Sequence, residues 1–170
     1  NAQFNLGMTI DGGTDIVTDT LSISDRGASG LVGDGDFSAI SNVQTLELAY
    51  TGTSSQSVVL GTNAETAGIV TVNASVATGN VTVTDLSATG ALSITTGSGA
   101  DTITLGTAAS TVVSGDGDDT VSVNATTIAS TITAGENDET AGDTLNVTGG
   151  ATVMMGAGVT EFENVTLATA

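Results

Sequence analysis

Short β-rich runs recur along this chain at nearly constant intervals from residue 57 onward. Between Val70 and Val121, successive runs begin 11, 11, 11, 9 and 9 residues apart. Most runs alternate apolar and polar residues, as a strand with one buried face does, and Gly, Asn, Ser and Asp fill the gaps. The runs are Val58–Leu60, Val70–Val72, Val81–Val83, Leu92–Ile94, Ile103–Leu105, Val112–Val113, Val121–Val123, Thr131–Thr133 and Leu145–Val147.

This spacing suits two all-β architectures, an antiparallel sandwich and a parallel solenoid. A sandwich core usually draws on large rings, and aromatic residues make up only 2% of this chain. In a solenoid, small β-branched side chains stack coil over coil, so each coil buries its apolar face against its neighbours. We therefore predict an all-β, right-handed parallel β-solenoid (a β-roll) with about two short strands per coil and Gly/Asp-rich turns.

Two segments in this ladder share a nine-residue pattern. Thr96–Thr104 and Ser114–Ser122 fit G-G-x-G-x-D-x-U-x, where U is apolar, except that Thr96 and Ser114 replace the first glycine. Such nonapeptides occur in Ca²⁺-binding parallel β-helices. The aligned Asp101 and Asp119 are 18 residues apart, which is two nonapeptides, so one coil separates them. Carboxylate and carbonyl oxygens are the ligands that Ca²⁺ prefers, and the pattern therefore predicts a Ca²⁺ site at this edge.

The acidic turns fall on one edge of the predicted solenoid. Alternate gaps must lie on opposite edges, and one edge receives Gly97–Asp101, Gly115–Asp119 and Gly135–Asp143. The middle turn also contains Asp116 and Asp118, which we include among the candidate metal ligands. The other edge receives Asp85–Gly90, Gly106–Ser110 and Asn124–Ser130, which are nearly uncharged. Acids that only kept the surface soluble would not favour one edge, so this distribution supports the metal site.

The charge balance excludes several classes of function. The chain has 19 acidic residues and a single basic residue, Arg26, for a formal net charge of −18. Nucleic acids and anionic membrane surfaces both require Lys and Arg, so neither is an expected partner. Without His or Cys there is no Ser–His or Cys–His pair, and we do not expect an enzyme. No apolar run approaches the ~20 residues that cross a bilayer, so no membrane insertion is expected.

The first 56 residues are less regular, and we divide the chain into an irregular β segment, 1–56, and the solenoid, 57–170. Asn1–Ile10 alternates as one strand, which would cap the roll or pair with a neighbouring subunit. Ile40–Ala49 aligns without gaps on Val159–Ala168 at an offset of 119 residues, and Gly12–Ile23 resembles Gly135–Val147. Whether the acids of this segment bind metal is left open at this point; they are Asp11, Asp15, Asp19, Asp34 and Asp36.

The nonapeptides, with Gly135–Asn146 as a stretched third copy, resemble the RTX family of bacterial type I secreted proteins. The runs Asn42–Leu48 and Glu161–Leu167 are similar to a strand motif of its S-layer and adhesin branch. The resemblance implies Ca²⁺ between adjacent coils, held by the sixth-position aspartate and by glycine carbonyls. The implied ligands are Asp101, Asp119 and Asp143, with the carbonyls of Gly97, Gly99, Gly115 and Gly117.

The third copy departs from this pattern. The step from Asp119 to Asp143 is 24 residues, which exceeds the 18-residue coil. We therefore expect the last turn to use a different ligand set, made up of Glu136, Asp138 and Asp143.

The resemblance implies a secreted, extracellular structural protein of the bacterial cell surface. Its expected partner is itself, in a calcium-stabilised S-layer-like lattice or filament, with cell-surface polysaccharide as a further candidate. The alternatives are an RTX adhesin, an ice-binding repeat and the calcium-roll tail of a secreted hydrolase. The ice-binding alternative depends on Thr82–Thr84, Thr102–Thr104 and Thr131–Thr133, although strand propensity alone also favours Thr between Val or Ile.

Overall fold

The structure is a computed structural model that describes residues 9–24, 31–87, 89–124, 130–135, 137–148 and 157–168. In it, short parallel strands stack into a solenoid. Two seven-stranded sheets face each other, and successive strands after the first coils alternate between them. Every pairing within the two sheets is parallel. Each coil thus contributes one strand to each sheet, and the predicted parallel β-solenoid with about two strands per coil is confirmed.

The strands are numbered in chain order. Sheet I contains β2 (Thr20–Ile23), β5 (Thr45–Leu48), β7 (Thr71–Asn73), β9 (Ser93–Thr95), β11 (Thr111–Val113), β13 (Thr131–Thr133) and β15 (Val159–Thr160). Sheet II contains β3 (Leu31–Val32), β6 (Gln56–Leu60), β8 (Val81–Asp85), β10 (Thr102–Thr104), β12 (Thr120–Asn124), β14 (Thr144–Thr148) and β16 (Asn164–Leu167). A separate parallel pair joins β1 (Ile10–Asp11) to β4 (Ile40–Ser41).

The core is a stack of aliphatic side chains between the two sheets. Ile103, Val121 and Leu145 occupy the same register position in neighbouring strands of sheet II, and each is fully buried. Polar residues alternate with them and face outward, so the period of two in the sequence places each side chain. The nine predicted runs each overlap one of the strands from β6 to β14, which confirms the predicted ladder.

Two short helical elements interrupt the N-terminal coils and were not predicted. They are a 3₁₀ helix at Asp34–Ala39 and the α-helix α1 at Thr62–Ala67. The carboxylate of Asp34 accepts the backbone N–H groups of Gly61, Asn63 and Ala64, so it caps α1 from almost 30 residues away. This aspartate, one of the acids left open above, therefore has a structural role. Within the described residues, no helix combines the length and apolar character of a membrane span.

Each of the two sheets contains strands from before and after residue 56. The division of the chain into an irregular segment, 1–56, and a solenoid, 57–170, stays a prediction. The predicted N-terminal strand lies mostly outside the described residues, since residues 1–8 are not among them. Its last residue, Ile10, begins β1.

The two segments related by the 119-residue offset, Ile40–Ala49 and Val159–Ala168, have equivalent structures, and we call them, each with the acidic turn before it, the first (N-terminal) and second modules. The N–H of Thr45 donates to the carbonyl of Asp19, and the N–H of Asn164 donates to the carbonyl of Asp143. Asn42 and Glu161, which the offset aligns, both have positive φ, at 56° and 66°. However, β5 lies in sheet I and the equivalent β16 lies in sheet II. The second module is therefore turned by half a coil relative to the first.

Glycines at one corner allow the coils to approach closely. Gly97, Gly115 and Gly135 stack in successive coils, and a Cβ on Gly115 would overlap the carbonyl oxygen of Gly97. Gly115 also has a φ of 94°, in the left-handed region. The backbone of the neighbouring coil thus occupies the space that a side chain would need.

Replacing Gly115 with Ala should lower the free energy of unfolding by at least about 2 kcal/mol, because a left-handed residue costs roughly 1–2 kcal/mol and the Cβ overlap adds to it. Urea unfolding followed by far-UV circular dichroism measures this loss. Gly35→Ala is the matched control, since open space surrounds Gly35; its effect should stay within about 0.5 kcal/mol. Equal effects of the two substitutions would contradict the close stacking.

Candidate metal centre

Four acidic side chains stack where the chain enters sheet II. Asp101, Asp119, Asp143 and Glu163 immediately precede β10, β12, β14 and β16, and we call them the carboxylate ladder. In each case a side-chain oxygen accepts a backbone N–H of the preceding coil at 2.7 Å. The donors, in order, are the N–H groups of Val81, Asp101, Asp119 and Asp143. The prediction that Asp101 and Asp119 stack on one edge is thus confirmed in position.

Neutral side chains form the same hydrogen bond where the chain enters sheet I. The hydroxyl of Ser110 accepts the N–H of Leu92 at 3.1 Å, and the hydroxyl of Ser130 accepts the N–H of Ser110 at 3.0 Å. At the first coils, Gln44 accepts the N–H of Asp19 through Oε1 at 2.9 Å. A neutral oxygen therefore satisfies the amide at this position, so the inter-coil hydrogen bond alone does not require the negative charge of the carboxylate ladder.

The second carboxylate oxygen of three ladder residues has no hydrogen-bond partner. It is Oδ2 of Asp101, Asp119 and Asp143, which are 2%, 1% and 0% exposed. Coils in a sheet lie ~4.8 Å apart, and two like charges at that distance repel by roughly 3 kcal/mol when the effective dielectric constant is about 20. Ionised ladder residues thus combine mutual repulsion with an orphaned buried oxygen, and a proton or a cation would relieve both.

Burial raises the pKa values of these groups. It raises the pKa of Asp101 to about 6 and the pKa of Asp119 to about 7, and for Asp119 the charges of Asp101 and Asp143 act in the same direction. Burial likewise raises the pKa of Asp143, with a further contribution from the charge of Glu163. A cation would replace these protons at neutral pH.

The four predicted glycine ligands lie in the turns beside the carboxylate ladder. Gly97 and Gly115 stack in one column, and Gly99 and Gly117 stack in a second. The carbonyl of Gly97 accepts the N–H of Asp116 at 3.0 Å, so this carbonyl also links adjacent coils. Close stacking explains the glycines by itself, and their role as carbonyl ligands stays a prediction.

Two of the remaining acids of the predicted set, Asp116 and Asp118, accept hydrogen bonds from the turn of the next coil. Oδ1 of Asp118 accepts the N–H groups of three consecutive residues, 140 to 142, at 2.8 to 2.9 Å. These hydrogen bonds lower the pKa of Asp118. Asp116 accepts a hydrogen bond from Nδ2 of Asn137 at 3.2 Å. Asp138 is exposed with a φ of 58°, and Glu136 lies outside the described residues.

Three carboxylates converge at the C-terminal end of the ladder. Glu139, Asp143 and Glu163 each offer one oxygen, and these oxygens lie within 4.8 Å of one another. We call this group the terminal acidic cluster; in the described part of the chain it is the one such group of three. Glu139, rather than the predicted Asp138, reaches Asp143. The sequence signal for Glu163 was its place directly before a strand, as for Asp101 and Asp119; Glu139 had no such signal.

Three acids of the segment 1–56 each accept a backbone N–H from a residue two or three positions away. Asp11 accepts the N–H of Gly13 and Nδ2 of Asn42, Asp15 accepts the N–H of Val17, and Asp36 accepts the N–H of Gly33. Within the described residues, none of them belongs to a group of three converging carboxylates.

The donor set of the acidic edge fits a hard cation. Its acidic side chains offer carboxylate oxygens, which Ca²⁺ and Mg²⁺ prefer over nitrogen or sulfur, and three buried oxygens of the ladder lack a partner. The chain offers no His or Cys for a softer metal. Comparison with known proteins adds no assignment: the chain significantly matches no family model, no curated protein and no solved structure.

The raised pKa values predict an unusual pH dependence for the metal-free protein. Asp101 and Asp119 bind protons more tightly when folded than the unfolded value of about 3.9 allows, so the folded state holds more protons between roughly pH 4 and 7. The free energy of unfolding in chelator should therefore rise as the pH falls from 8 to 5. Urea titrations across this range test it, and a stability that falls on acidification over this window would contradict it.

Proposed function

We propose that this protein is an extracellular structural subunit of a bacterial cell surface, a calcium-stabilised solenoid that associates with copies of itself. In this proposal Ca²⁺ binds along the acidic edge, Asp101, Asp119 and Asp143 supply carboxylate oxygens, and the protein performs no catalysis. The partial resemblance to the RTX family supports the same location and the same ion.

The observation that carries the proposal is the charge of the carboxylate ladder. Serine and glutamine make the equivalent hydrogen bond at the entry to sheet I, yet four acids occupy this position at the entry to sheet II. Three of the acids are buried with an unpartnered oxygen. A buried, unpaired carboxylate lowers the stability of the folded state unless a proton or a cation neutralises it. A bound cation would therefore explain why acids occupy these positions.

Ca²⁺ bound only by the folded form links folding to the surroundings of the protein. At ~100 times its Kd, an ion contributes about 2.7 kcal/mol to stability per site. Each Ca²⁺ also offsets two negative charges in a chain of net charge −18. The chain would fold poorly at the low Ca²⁺ of a cytosol and well outside the cell, which suits a protein exported before it folds.

An exposed edge strand of the described solenoid supports self-association. Leu46 and Leu48 of β5 are 0% and 2% exposed, because strands flank β5 on both sides. The equivalent Val165 and Leu167 of the terminal strand β16 are 50% and 59% exposed. A parallel edge of this kind can pair with another strand, and head-to-tail pairing of identical units that does not close gives a filament or a lattice row.

Ca²⁺ titration of the metal-free protein should produce an increase in β-structure by circular dichroism and large assemblies by light scattering, both reversed by chelator. Na⁺ at matched ionic strength controls for charge screening. A folded, monomeric protein that responds to neither addition nor removal of Ca²⁺ would overturn the proposal.

Asp119→Asn and Asp85→Asn form a matched pair for the same titration. Both residues are buried aspartates beside sheet II, but Asp85 lies at the opposite edge, and its two oxygens accept the N–H groups of Ser87 and Gly106. Asp119→Asn should raise the Ca²⁺ concentration at the midpoint about tenfold, the equivalent of ~1.4 kcal/mol, and Asp85→Asn should leave it nearly unchanged.

Ice binding is a second candidate, favoured by the outer face of sheet II. Two polar columns run in register across its coils. One column contains Thr82, Thr102, Thr120 and Thr144, and the other contains Thr84, Thr104, Ser122 and Asn146. Hydroxyl groups on this face would repeat at ~4.8 Å between strands and ~6.7 Å along them, a regular pattern that could order water.

Thermal hysteresis of the purified protein tests this second candidate. If the outer face of sheet II binds ice, a gap between melting and freezing points should appear and Thr102→Tyr should remove it. Ser93→Tyr, on the exposed face of sheet I, is the control and should preserve it. No gap in the unmodified protein would exclude ice binding.

A further inference from the structure

The terminal acidic cluster joins two parts of the chain that are 20 residues apart. Glu139 and Asp143 belong to the turn before β14, and Glu163 directly precedes β16 in the last described coil. Their carboxylate oxygens converge within 4.8 Å. Asp143 is 0% exposed; its Oδ1 accepts the N–H of Asp119, while its Oδ2 has no partner. Oε1 of Glu139 is buried and also has no partner.

In the N-terminal module, a neutral side chain makes the hydrogen bond that Glu163 makes in the terminal acidic cluster. Gln44 occupies the position of Glu163 under the 119-residue offset. Asp19 corresponds to Asp143 through the resemblance of Gly12–Ile23 to Gly135–Val147, in which the two aspartates are 124 residues apart. Oε1 of Gln44 accepts the N–H of Asp19 at 2.9 Å, as Oε2 of Glu163 accepts the N–H of Asp143 at 2.7 Å. The amide therefore preserves the hydrogen bond, so the acid at Glu163 adds only negative charge, beside a buried carboxylate that already lacks a partner.

We propose that Glu139, Asp143 and Glu163 form a Ca²⁺ site that fastens the last described coil, 157–168, to the body of the solenoid. The site rests on the proposed function for the identity of the ion. It is distinct from the two stacked nonapeptides, because all three of its residues lie outside Thr96–Thr104 and Ser114–Ser122. Three carboxylates supply enough charge for one Ca²⁺, and further oxygens would complete its usual six to eight ligands.

The site acts on the edge strand that the proposed assembly uses. In the described residues, strand pairing holds β15 to β13 and β16 to β14, and nothing stacks on their outer edges. The residues of β16 are all exposed. A cation between Glu163 and the turn before β14 would add a cross-link at the entry to this edge strand. Ca²⁺ would thereby order the strand that presents the free edge.

The test uses the full 170-residue chain and CaCl₂, with Glu163→Gln as the main variant. This change imitates Gln44, so the hydrogen bond to Asp143 and the metal-free fold should persist. Calorimetric titration should show one Ca²⁺ fewer per chain, or at least tenfold weaker binding at one site. Amide hydrogen exchange should show Ca²⁺-dependent protection of residues 157–168 in the unmodified protein and its loss in the variant.

Two further variants separate the site from general effects. Glu139→Gln should reproduce the loss, although Glu139 makes none of the hydrogen bonds of the carboxylate ladder. Glu47→Gln removes one charge from the outer face of β5, away from the cluster, and should bind Ca²⁺ like the unmodified protein. Unchanged Ca²⁺ stoichiometry and affinity in both cluster variants would overturn the site; three acids that merely share protons would give this result.

The two proposals fail differently. If Ca²⁺ drives folding and assembly while Glu163→Gln binds it normally, only the terminal site is wrong. If Glu163→Gln loses a bound ion but Ca²⁺ causes no assembly of the unmodified protein, only the proposed function is wrong. In either case β10 and β12 serve as internal references for hydrogen exchange, because the change should be confined to 157–168.

Discussion

The stacking of this solenoid depends on one hydrogen bond that recurs at its corners. Where the chain bends into a sheet, an amide of one coil is buried, and a buried N–H without a partner costs free energy. The side chain one coil later supplies the acceptor: carboxylates at Asp101, Asp119, Asp143 and Glu163, hydroxyls at Ser110 and Ser130, an amide at Gln44. Because the acceptor must sit directly before a strand, this bond also fixes the register in which the next coil is added.

An acid at this position, unlike a serine, requires a proton or a cation from the solution to neutralise its charge. Serine leaves no charge in the corner, whereas stacked aspartates repel one another and leave a buried oxygen unpartnered. With a single basic residue in 170, the chain contains almost no internal means to neutralise them. Protons can do so at mildly acidic pH, as the raised pKa values of Asp101 and Asp119 indicate. A divalent cation would do so at neutral pH, and the stability of the fold would then depend on the ion.

The sequence was sufficient for the solenoid because its signals are local and periodic. Nine strands followed from alternation and spacing, and the placement of Asp101 and Asp119 on one edge followed from their 18-residue separation. The helix α1 did not, because its cap is Asp34, far away in sequence, and six residues carry little periodic pattern. Glu139 was missed because no repeat position marks it; the stretched turn alone brings it to Asp143. The buried state of the aspartates also required coordinates, since turn acids are usually exposed.

Because the two modules are rotated by half a coil, equivalent residues lie on opposite edges of the solenoid. Comparing them shows whether acidic residues recur at the same position of each module or on the same edge. Residues that directly precede sheet I strands after the first are Gln44, Val70, Leu92, Ser110, Ser130 and Gly158, all neutral. Those that precede sheet II strands from β8 onward are Asn80, Asp101, Asp119, Asp143 and Glu163. Gln44 and Glu163 are equivalent within their modules, yet Gln44 is neutral like the other residues at the entry to sheet I, and Glu163 is acidic like those at the entry to sheet II from β10 onward. Asp19, at the open end of sheet I, is the exception and is only half-buried. Beyond it, charge follows the edge, as expected if one continuous flank of the solenoid binds cations and the other does not.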